Sequence, residues 1–474
     1  MHAHPAPPRA SRALTVLAIR TSAKTAPPRR RGCAPLRLPP LGRPVTWAAA
    51  VGATLASAVT ATPLGGQRPS SRRAPAEIGA PAAIARHARV RAALDQIRAG
   101  NGWTLDQQVS ICEVPAPPFK EAARAAEYRR RLEGLGLINV RIDREGNVIA
   151  ERAGSGKGPT VVISAHLDTV FPESTDVRVK RAGTRFAGPG IGDDCRGLAV
   201  LLAVARAFQQ SKVATRGTVV FVGTVGEEGA GNSRGVRHLF DRELAGKIDY
   251  FISVDGTGLG VTSRAVGSHR YRVTFSGPGG HSYGAFGMPN PIHALGRAIA
   301  KIGDLQVPTS PKTTFSVGVV QGGTSVNAIA GEASMDVDMR SESAGALDSL
   351  DRAFRAAVAA ARDEEAGRWP TSSVAIMARI DTIGIRPAGS QPDTAAIVRA
   401  ALGAGRVLGF TSETSASSTD ANVPIALGIP AITIDGGGQG EGSHSLEEWY
   451  DDGTNGWLGP QWAALIVATL AGVE

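Results

Sequence analysis

Short apolar runs alternate with amphipathic stretches along most of the chain after residue 85. Four runs have the length and β-branched content of buried strands, and each is followed at once by acids, histidines or glycines: residues 160–165, 217–225, 249–254 and 431–434. Residues 197–210 place Leu198, Leu201 and Phe208 on one face and therefore predict a helix. Helices are also predicted over residues 85–100 and 124–136. This alternation is typical of an α/β fold with a mostly parallel central sheet.

A second pattern interrupts the first after residue 266. Its predicted elements follow the order β-α-β-β-α-β: strand 269–277, helix 290–305, strands 313–323 and 332–340, helix 344–367 and strand 372–380. That order predicts a self-contained, ferredoxin-like α+β unit. We therefore expect a catalytic domain split into residues 86–266 and 384–474, with a lid domain of residues 267–383 between the two parts.

The first 85 residues differ in composition from the rest. The chain carries a net charge of +10, but residues 86–474 are close to neutral, because most of the excess Lys and Arg lies before residue 86. The high pI therefore does not indicate nucleic-acid binding. An apolar, small-residue stretch at 45–61 follows the basic segment and predicts a signal peptide cut near residue 61, then a disordered linker. A signal peptide predicts export of the protein to the periplasm or the medium. The alternatives are that the segment is a weak membrane anchor or is simply disordered; without a signal peptide the protein would be cytoplasmic.

Metal-capable side chains occur where the predicted strands end. They are His166 and Asp168, Asp193 and Asp194, Glu227 and Glu228, Asp255, and His444. Each of them alone is more typical of a surface turn or a structural histidine. Because the carboxyl ends of parallel strands meet at one edge of a sheet, their recurrence indicates one site. Two histidines with carboxylates favour zinc or a similar ion in an open catalytic site, and five ligands fit two ions that share a carboxylate.

These residues and their order resemble the dinuclear zinc exopeptidases and deacylases, a group that includes peptidase T, carboxypeptidase G, aminoacylase and acetylornithine deacetylase. The motifs HLDTV, GIGDDCRGLA, GEEG, VDG and GSHSLEEW carry the resemblance, which covers nearly all of residues 86–474. The resemblance implies a zinc-exopeptidase-type catalytic domain. It implies that His166 and Asp255 bind one zinc ion, that Glu228 and His444 bind the other, that Asp193 bridges them, that Glu227 is the general base and that Asp168 lies beside the first ligand. The Asp-Gly pair after the third strand is most similar to peptidase T.

One motif departs from the family pattern. Where the family usually has Asp-x-Lys or Asp-Asp-Lys, this chain has Asp193-Asp194-Cys195-Arg196. The departure leaves open which aspartate bridges. A Cys195 thiolate is able to bind zinc, but the five other ligands already suffice. The sequence alone does not assign Cys112 and Cys195 to a disulfide, and Cys33 would be lost with the signal peptide.

Three polar residues of the predicted lid are candidates for substrate contacts. In isolation His281, Asn327 and Arg340 are typical of a loop, a turn and a strand end. The resemblance implies that His281 polarises the scissile carbonyl with help from Asn327, and that Arg340 holds a substrate carboxylate. It also implies a homodimer formed through the lid, in which His281 reaches the partner's active site. Residues 418–422 are predicted to add polar contacts near the entrance.

These features together predict a metallo-exopeptidase that hydrolyses small peptides in the manner of a tripeptidase or aminopeptidase. We expect two Zn²⁺ ions per subunit, with Co²⁺ or Mn²⁺ as alternatives. An N-acyl amino acid deacylase or a carboxypeptidase is the second prediction. A non-catalytic metal-binding scaffold is the third, and the intact Glu227 argues against it. Neither a nucleic-acid partner nor stable membrane insertion is expected.

Overall fold

Helices precede the first strands in the N-terminal part of the described chain. The structure, a computed structural model, describes residues 78–474, so the predicted signal peptide and Cys33 lie outside the described residues. Within residues 78–266 the elements are α1 (Pro81–Arg86), α2 (Ala88–Ala99), α3 (Asn101–Cys112), α4 (Ala122–Gly134), β1 (Ile138–Ile142), β2 (Val148–Arg152), β3 (Val161–His166), β4 (Lys180–Ala182), β5 (Arg185–Ala187), α5 (Cys195–Gln210), β6 (Val219–Thr224), α6 (Arg234–His238), β7 (Tyr250–Val254) and β8 (Val261–Ala265). Among residues 78–474 no helix has the length and apolar content needed to cross a membrane.

The remaining elements divide into an inserted unit and a return to the first sheet. The inserted unit contains β9 (Gly267–Ser276), β10 (Gly280–His281), α7 (Pro291–Gly303), β11 (Thr313–Gly322), β12 (Ala328–Ile329), β13 (Glu332–Ser341), α8 (Ala344–Arg368) and β14 (Met377–Arg386). The C-terminal part contains β15 (Gly389–Ser390), α9 (Ala396–Leu408), β16 (Thr414–Ser417), α10 (Asn422–Ala426), β17 (Ala431–Ile434), β18 (Gln439–Glu441), β19 (Trp449–Asp451) and α11 (Leu458–Ala471).

The central sheet is mixed, with a parallel core. Its strand order is β1-β2-β6-β3-β7-β17-β8-β15, with β16 also paired to β8. The four middle strands β6, β3, β7 and β17 are mutually parallel, whereas β1, β2 and β15 pair antiparallel at the edges. Helices α5 and α11 pack on one face of this sheet, and residues of α6 and α10 pack on the other, so the apolar runs are buried on both sides. The α/β prediction is therefore confirmed.

Apart from the two-residue strands β10 and β12, which pair with each other, the inserted unit has the order β-α-β-β-α-β, and it has its own apolar core. Its sheet has the order β11-β13-β9-β14, with every pair antiparallel, and α7 and α8 pack against one face. The last strand was predicted over residues 372–380, but β14 begins at Met377. Pairing with β9 sets this boundary, because Met377 lies opposite Ser276 and Arg386 opposite Ser268. Helix α3, which the apolar pattern did not predict, is a further difference.

The chain enters and leaves the inserted unit at neighbouring points. Ala265 pairs with Gly389 in the central sheet, and three residues further along Ser268 pairs with Arg386 in the inserted sheet. The two connections are packed so closely that a Cβ on Gly267 would lie 2.6 Å from the nitrogen of Ala388. A glycine is therefore required at this crossing.

Candidate metal centre

His166 is the last residue of β3 and its ring is buried. Its Nδ1 atom lies 3.0 Å from the carbonyl oxygen of Asp168, which can only accept a hydrogen bond, so Nδ1 carries the proton. In a neutral ring the lone pair of Nε2 then faces Asp193 Oδ1 at 2.9 Å and Asp255 Oδ1 at 3.9 Å. A lone pair that faces two carboxylates calls for a cation between them, so this group fits a metal ion.

A second group of the same kind shares Asp193. His444 Nε2 lies 2.9 Å from Glu228 Oε1 and 3.2 Å from the other carboxylate oxygen of Asp193. Ligand atoms of His166, Asp193 and Asp255 lie within 4.8 Å of one another, and so do those of Asp193, Glu228 and His444. Around a tetrahedral zinc ion with bonds of about 2.0–2.1 Å, ligand atoms are roughly 3.3 Å apart. The donor set therefore fits two divalent ions that share one carboxylate.

The neighbouring aspartates hold the main chain around these groups. Asp168 accepts hydrogen bonds from the backbone nitrogens of Glu227 and Glu228, at 3.1 and 2.8 Å. Asp194 accepts from the nitrogens of His166 and Gly197, both at 2.9 Å, and thereby caps α5. Asp193 faces the two histidines, whereas the Asp194 carboxylate is used by the backbone. This geometry favours Asp193 over Asp194 as the bridging aspartate.

A buried glutamate that the sequence did not reveal holds the Asp193 loop. Glu448 accepts hydrogen bonds from the backbone nitrogens of Gly190, Gly192 and Asp193, at 2.7, 2.8 and 3.0 Å. Burial raises the pKa of Glu448 to about 7, although these three donors act in the opposite direction. Glu448 lies in the quoted GSHSLEEW motif, but an acidic pair in a sequence looks solvent-exposed.

The two residues after Asp194 have structural partners. Cys195 forms a disulfide with Cys112, with a Cα–Cα distance of 5.4 Å, so its sulfur is not a metal ligand here. The buried Arg196 donates to the carbonyl oxygens of Gly436 and Gly456 and lies over the Tyr450 ring. The two residues that depart from the family pattern therefore contribute a disulfide and buried hydrogen bonds behind the metal centre.

Glu227 is buried beside the candidate ligands and forms an ion pair with Arg386. Arg386 Nη1 donates to Glu227 Oε1 at 2.7 Å, and Nη2 donates to the carbonyl oxygen of the same residue. Burial and the charge of Glu228 raise the pKa of Glu227 to about 8, against the effect of Arg386. Arg386 was not predicted, because a strand-end arginine has no sequence signal that connects it with a glutamate 159 positions earlier.

A cavity of about 760 Å³ connects the metal groups with the inserted sheet. Its walls include Asp193, Glu227, Glu228, Asp255 and His444 on one side, Arg270, Asp336, Asp338 and Arg340 on the other, and Ser418 and Thr419 from the predicted 418–422 segment. Arg340 donates from Nε to Asp338 at 2.7 Å. His281 and Asn327 do not line this cavity; both are exposed on the β10–β12 side of the inserted unit. The structure therefore brings Arg340 to the site and leaves the other two outside it.

Comparison with known proteins agrees with this fold. Residues 162–455 match Peptidase family M20/M25/M40. The succinyl-diaminopimelate desuccinylase of Leptothrix cholodnii is 28% identical over 255 residues, which cover 50% of this chain and 66% of that protein. The matched region is more than half of the chain, so the protein belongs to this peptidase family and is a hydrolase of peptide or amide bonds.

Two solved structures share the fold. Aminopeptidase PepT from Bacillus cereus aligns with a TM-score of 0.63 and 19% identity, covering 80% of this chain and 99% of that one. A dinuclear metal binding M20 peptidase from Bacillus subtilis aligns with a TM-score of 0.59 and 20% identity, covering 79% and 99%. At this identity the likeness establishes the fold.

Proposed function

We propose that this protein is a dinuclear metallo-exopeptidase that hydrolyses small peptides, with a zinc pair as the native metal and cobalt or manganese as alternatives. The observation that carries the proposal is that two three-residue ligand groups share Asp193 while the buried Glu227 lies beside them. In this assignment His166 and Asp255 complete one ion site, and Glu228 and His444 complete the other. Asp193 would be shared by the two sites.

Glu227 acts as the general base in the proposed reaction. The two ions, when bound, would polarise the scissile carbonyl and make water more acidic. Glu227 removes a proton from the attacking water and returns it to the leaving amine. Arg386 holds the Glu227 carboxylate through Nη1, and Asp168 holds the Glu227 main chain. Both contacts restrict the base to one orientation.

The size of the cavity supports a small substrate. A volume of about 760 Å³ lies within the range of small-molecule sites and suits a peptide of two or three residues. The inserted unit lines one wall, as expected of a lid domain over the substrate. Arg340, on that wall, is placed to bind a substrate carboxylate once a ligand displaces Asp338 from its guanidinium.

An N-acyl amino acid deacylase or a carboxypeptidase is the second candidate. It is favoured by the desuccinylase named above and by Arg340, which lines the cavity and would bind an acidic acyl group or a C-terminal carboxylate. The two candidates share the metal centre and differ in the charge that the substrate presents to the cavity walls.

A panel assay on purified protein tests this assignment. We expect two divalent ions per chain by mass spectrometry of metals, and hydrolysis of tripeptides faster than that of dipeptides or N-acyl amino acids. Faster hydrolysis of N-acyl amino acids would favour the second candidate. Retention of metal without hydrolysis of any amide would leave the non-catalytic metal-binding scaffold.

We also propose that the protein is a homodimer in which His281 acts on the partner's substrate. His281 is exposed and lies outside the cavity of its own chain. Its Nδ1 accepts from the backbone nitrogens of Tyr283 and Gly284, both at 3.3 Å, so the proton lies on Nε2 and is available to a developing oxyanion. Asn327 lies close by, since its carbonyl oxygen accepts from Ser282.

Mixing two inactive variants tests this arrangement. His281→Ala is expected to lower kcat about 10²–10³-fold with metal retained. Mixed with Glu227→Gln, it should recover part of the activity, because a heterodimer contains one site with both groups intact. A fully active monomer, or no recovery after verified subunit exchange, would place His281 in its own chain's reaction or in none.

The basic and apolar N-terminal residues support a further proposal, export of the protein. Isolated from cells, the mature chain should begin near residue 62. Abundant cytoplasmic protein that still carries the N-terminal peptides would contradict export.

A further inference from the structure

A carboxylate outside the predicted ligand set lies next to one of the candidate ligands. Strands β7 and β17 are parallel neighbours, with Val254 beside Ile434, and the backbone nitrogen of Asp255 donates to the carbonyl oxygen of Ile434 at 3.0 Å. Asp255 and Asp435 therefore follow at equivalent positions, with main chains about 4.8 Å apart. Both side chains line the cavity. Asp435 thus lies one strand away from the metal centre.

Asp435 differs from the other acids of the cavity in having no basic partner. Seven acidic residues line the cavity, and six of them lie within 4.0 Å of a basic side chain: Asp193, Glu227, Glu228, Asp255, Asp336 and Asp338. Among residues 78–474 no lysine, arginine or histidine forms such a pair with Asp435. Within this part of the chain its carboxylate accepts one hydrogen bond, from the backbone nitrogen of Gly260, 2.7 Å from Oδ2.

The surroundings of Asp435 leave the charge uncompensated. Burial raises its pKa to about 6, and the hydrogen bond from the Gly260 nitrogen acts in the opposite direction. A partly buried carboxylate without a cation is costly, and such groups are concentrated at functional sites. The loop after β7 keeps the space beside the carboxylate clear, because a Cβ on Gly258 would lie 2.7 Å from Oδ2 and one on Gly260 3.0 Å from it.

We propose that Asp435 binds a cationic nitrogen of the substrate, so that the preferred substrates are peptides with a positively charged group next to the scissile bond. The proposal rests on the proposed peptidase function and narrows its substrate class. The α-ammonium of a peptide is two bonds from the first carbonyl carbon, so a group that binds it must lie beside the metal ligands, as Asp435 does beside Asp255. The hydroxyl-bearing side chains of Thr262 and Thr433 line the same part of the cavity and suit an ammonium. A lysine or arginine side chain presents the same chemistry.

Asp435→Asn is the informative variant. The asparagine keeps an oxygen that accepts from Gly260 and removes the charge. Its kcat/KM should fall about 10–100-fold on tri-alanine, as expected for the loss of one charge-assisted hydrogen bond, and less than about 2-fold on propionyl-Ala-Ala, which lacks only the amine. Asp348→Asn, a change at an exposed acid of α8, is the matched control and should affect neither substrate. Equal losses on both substrates, or no loss on either, would overturn the proposal.

A second pair of substrates identifies the source of the cation. If a side-chain ammonium binds instead of the α-ammonium, Asp435→Asn should lower kcat/KM on acetyl-Lys-Ala more than on acetyl-norleucyl-Ala. Its effect on kcat/KM should then be equal for tri-alanine and propionyl-Ala-Ala. A thermal unfolding midpoint at or above that of the unsubstituted protein is expected for Asp435→Asn, because an unpaired charge is removed. A lower midpoint would identify Asp435 as structural.

Direct binding separates this proposal from the proposed hydrolysis. Calorimetry on metal-loaded Glu227→Gln protein should show L-alaninamide or L-lysine binding with a Kd about 10-fold lower than in the Glu227→Gln/Asp435→Asn double variant. Propionamide should not distinguish the two proteins. This result would stand if the peptide panel showed no turnover, and equal Kd values would refute the role of Asp435 even in an active peptidase.

Discussion

The two walls of the cavity hold their charged side chains in different ways. Behind the wall formed by the strand ends, main-chain nitrogens hold buried carboxylates that do not themselves line the cavity: Glu448 accepts three such bonds, and Asp168 and Asp194 accept two each. On the wall formed by the inserted unit, called the inserted wall below, side chains of β9 and β13 hold one another. There, Arg272 pairs with Asp336 at 2.7 Å, and Asp338 pairs with both Arg270 and Arg340.

The difference indicates that the groups proposed for catalysis are held in one position, whereas the groups proposed for substrate binding can change partners. A buried carboxylate held by several main-chain donors has one orientation, which a metal centre needs for its ligands and base. Partly exposed pairs between side chains contribute little to stability and can exchange partners. A substrate can therefore replace Asp338 on Arg340 at low cost, whereas no substrate displaces the backbone from Asp168.

The largest expected effect concerns the wall formed by the strand ends, called the fixed wall below. Glu227→Gln should lower kcat at least about 10²-fold with unchanged metal content, because it removes a base and no ligand. Glu228→Gln should lower bound metal instead. Metal analysis and steady-state kinetics on both variants check this pair. Loss of metal from Glu227→Gln with retention in Glu228→Gln would show that the two roles are reversed.

The next effect concerns the disulfide behind the Asp193 loop. Cys112 and Cys195 are 83 positions apart, so reduction should lower the free energy of unfolding by about 2–4 kcal/mol. Urea unfolding with and without a thiol reductant measures it. The double variant Cys112→Ser/Cys195→Ser should not respond to the reductant. Detection of both thiols as free in the oxidised, unfolded protein would disprove the bond.

A smaller effect is expected at Glu448, which holds the loop that carries Asp193 and is not itself a candidate ligand. In Glu448→Gln an amide group replaces one acceptor oxygen facing the Gly190–Asp193 backbone, so metal affinity should fall about 10–100-fold. Competition with a metal chelator measures the affinity. Glu447→Gln, at the exposed neighbour, is the matched control. Equal affinities in the two variants would mean that Glu448 does not position Asp193.

The smallest effect belongs to the inserted wall. Arg272→Gln removes the ion pair with Asp336, whose partners have side-chain exposures of 53% and 22%. The free energy of unfolding should change by less than about 1 kcal/mol. Chemical denaturation measures it, beside Glu448→Gln as the reference for the fixed wall. A loss of several kcal/mol would mean that the inserted wall is as rigid as the other.

The sequence predicted those parts of the molecule that depend on local pattern. The runs before His166 and Asp255 are apolar enough to mark buried parallel strands, and the rule for strand ends then placed their side chains at one edge. The β-α-β-β-α-β order of the longer elements in the inserted unit could be predicted from the sequence pattern in the same way. Helix α3 was not, since its apolar residues lack a clear helical period, and the start of β14 depends on pairing with β9.

The partners of the site escaped prediction for a related reason. Arg386, Glu448 and Asp435 act through contacts with residues 159, 258 and 175 positions away, and no short motif encodes such pairs. Each looks like an ordinary charged residue at the end of a strand or in a loop. The choice between Asp193 and Asp194 likewise needed the backbone path, because both carry the same carboxylate.

The close crossing at Gly267 and Ala388 has an evolutionary consequence. Because the chain leaves and rejoins the central sheet between residues paired in that sheet, a gene can exchange residues 267–386 as one cassette without rerouting the strands that carry the candidate ligands. New substrate preferences can therefore arise by recombination rather than by gradual substitution around the metals. Arg386 constrains such an exchange: it lies within the cassette yet contacts Glu227, so a functional replacement has to bring its own arginine to that place.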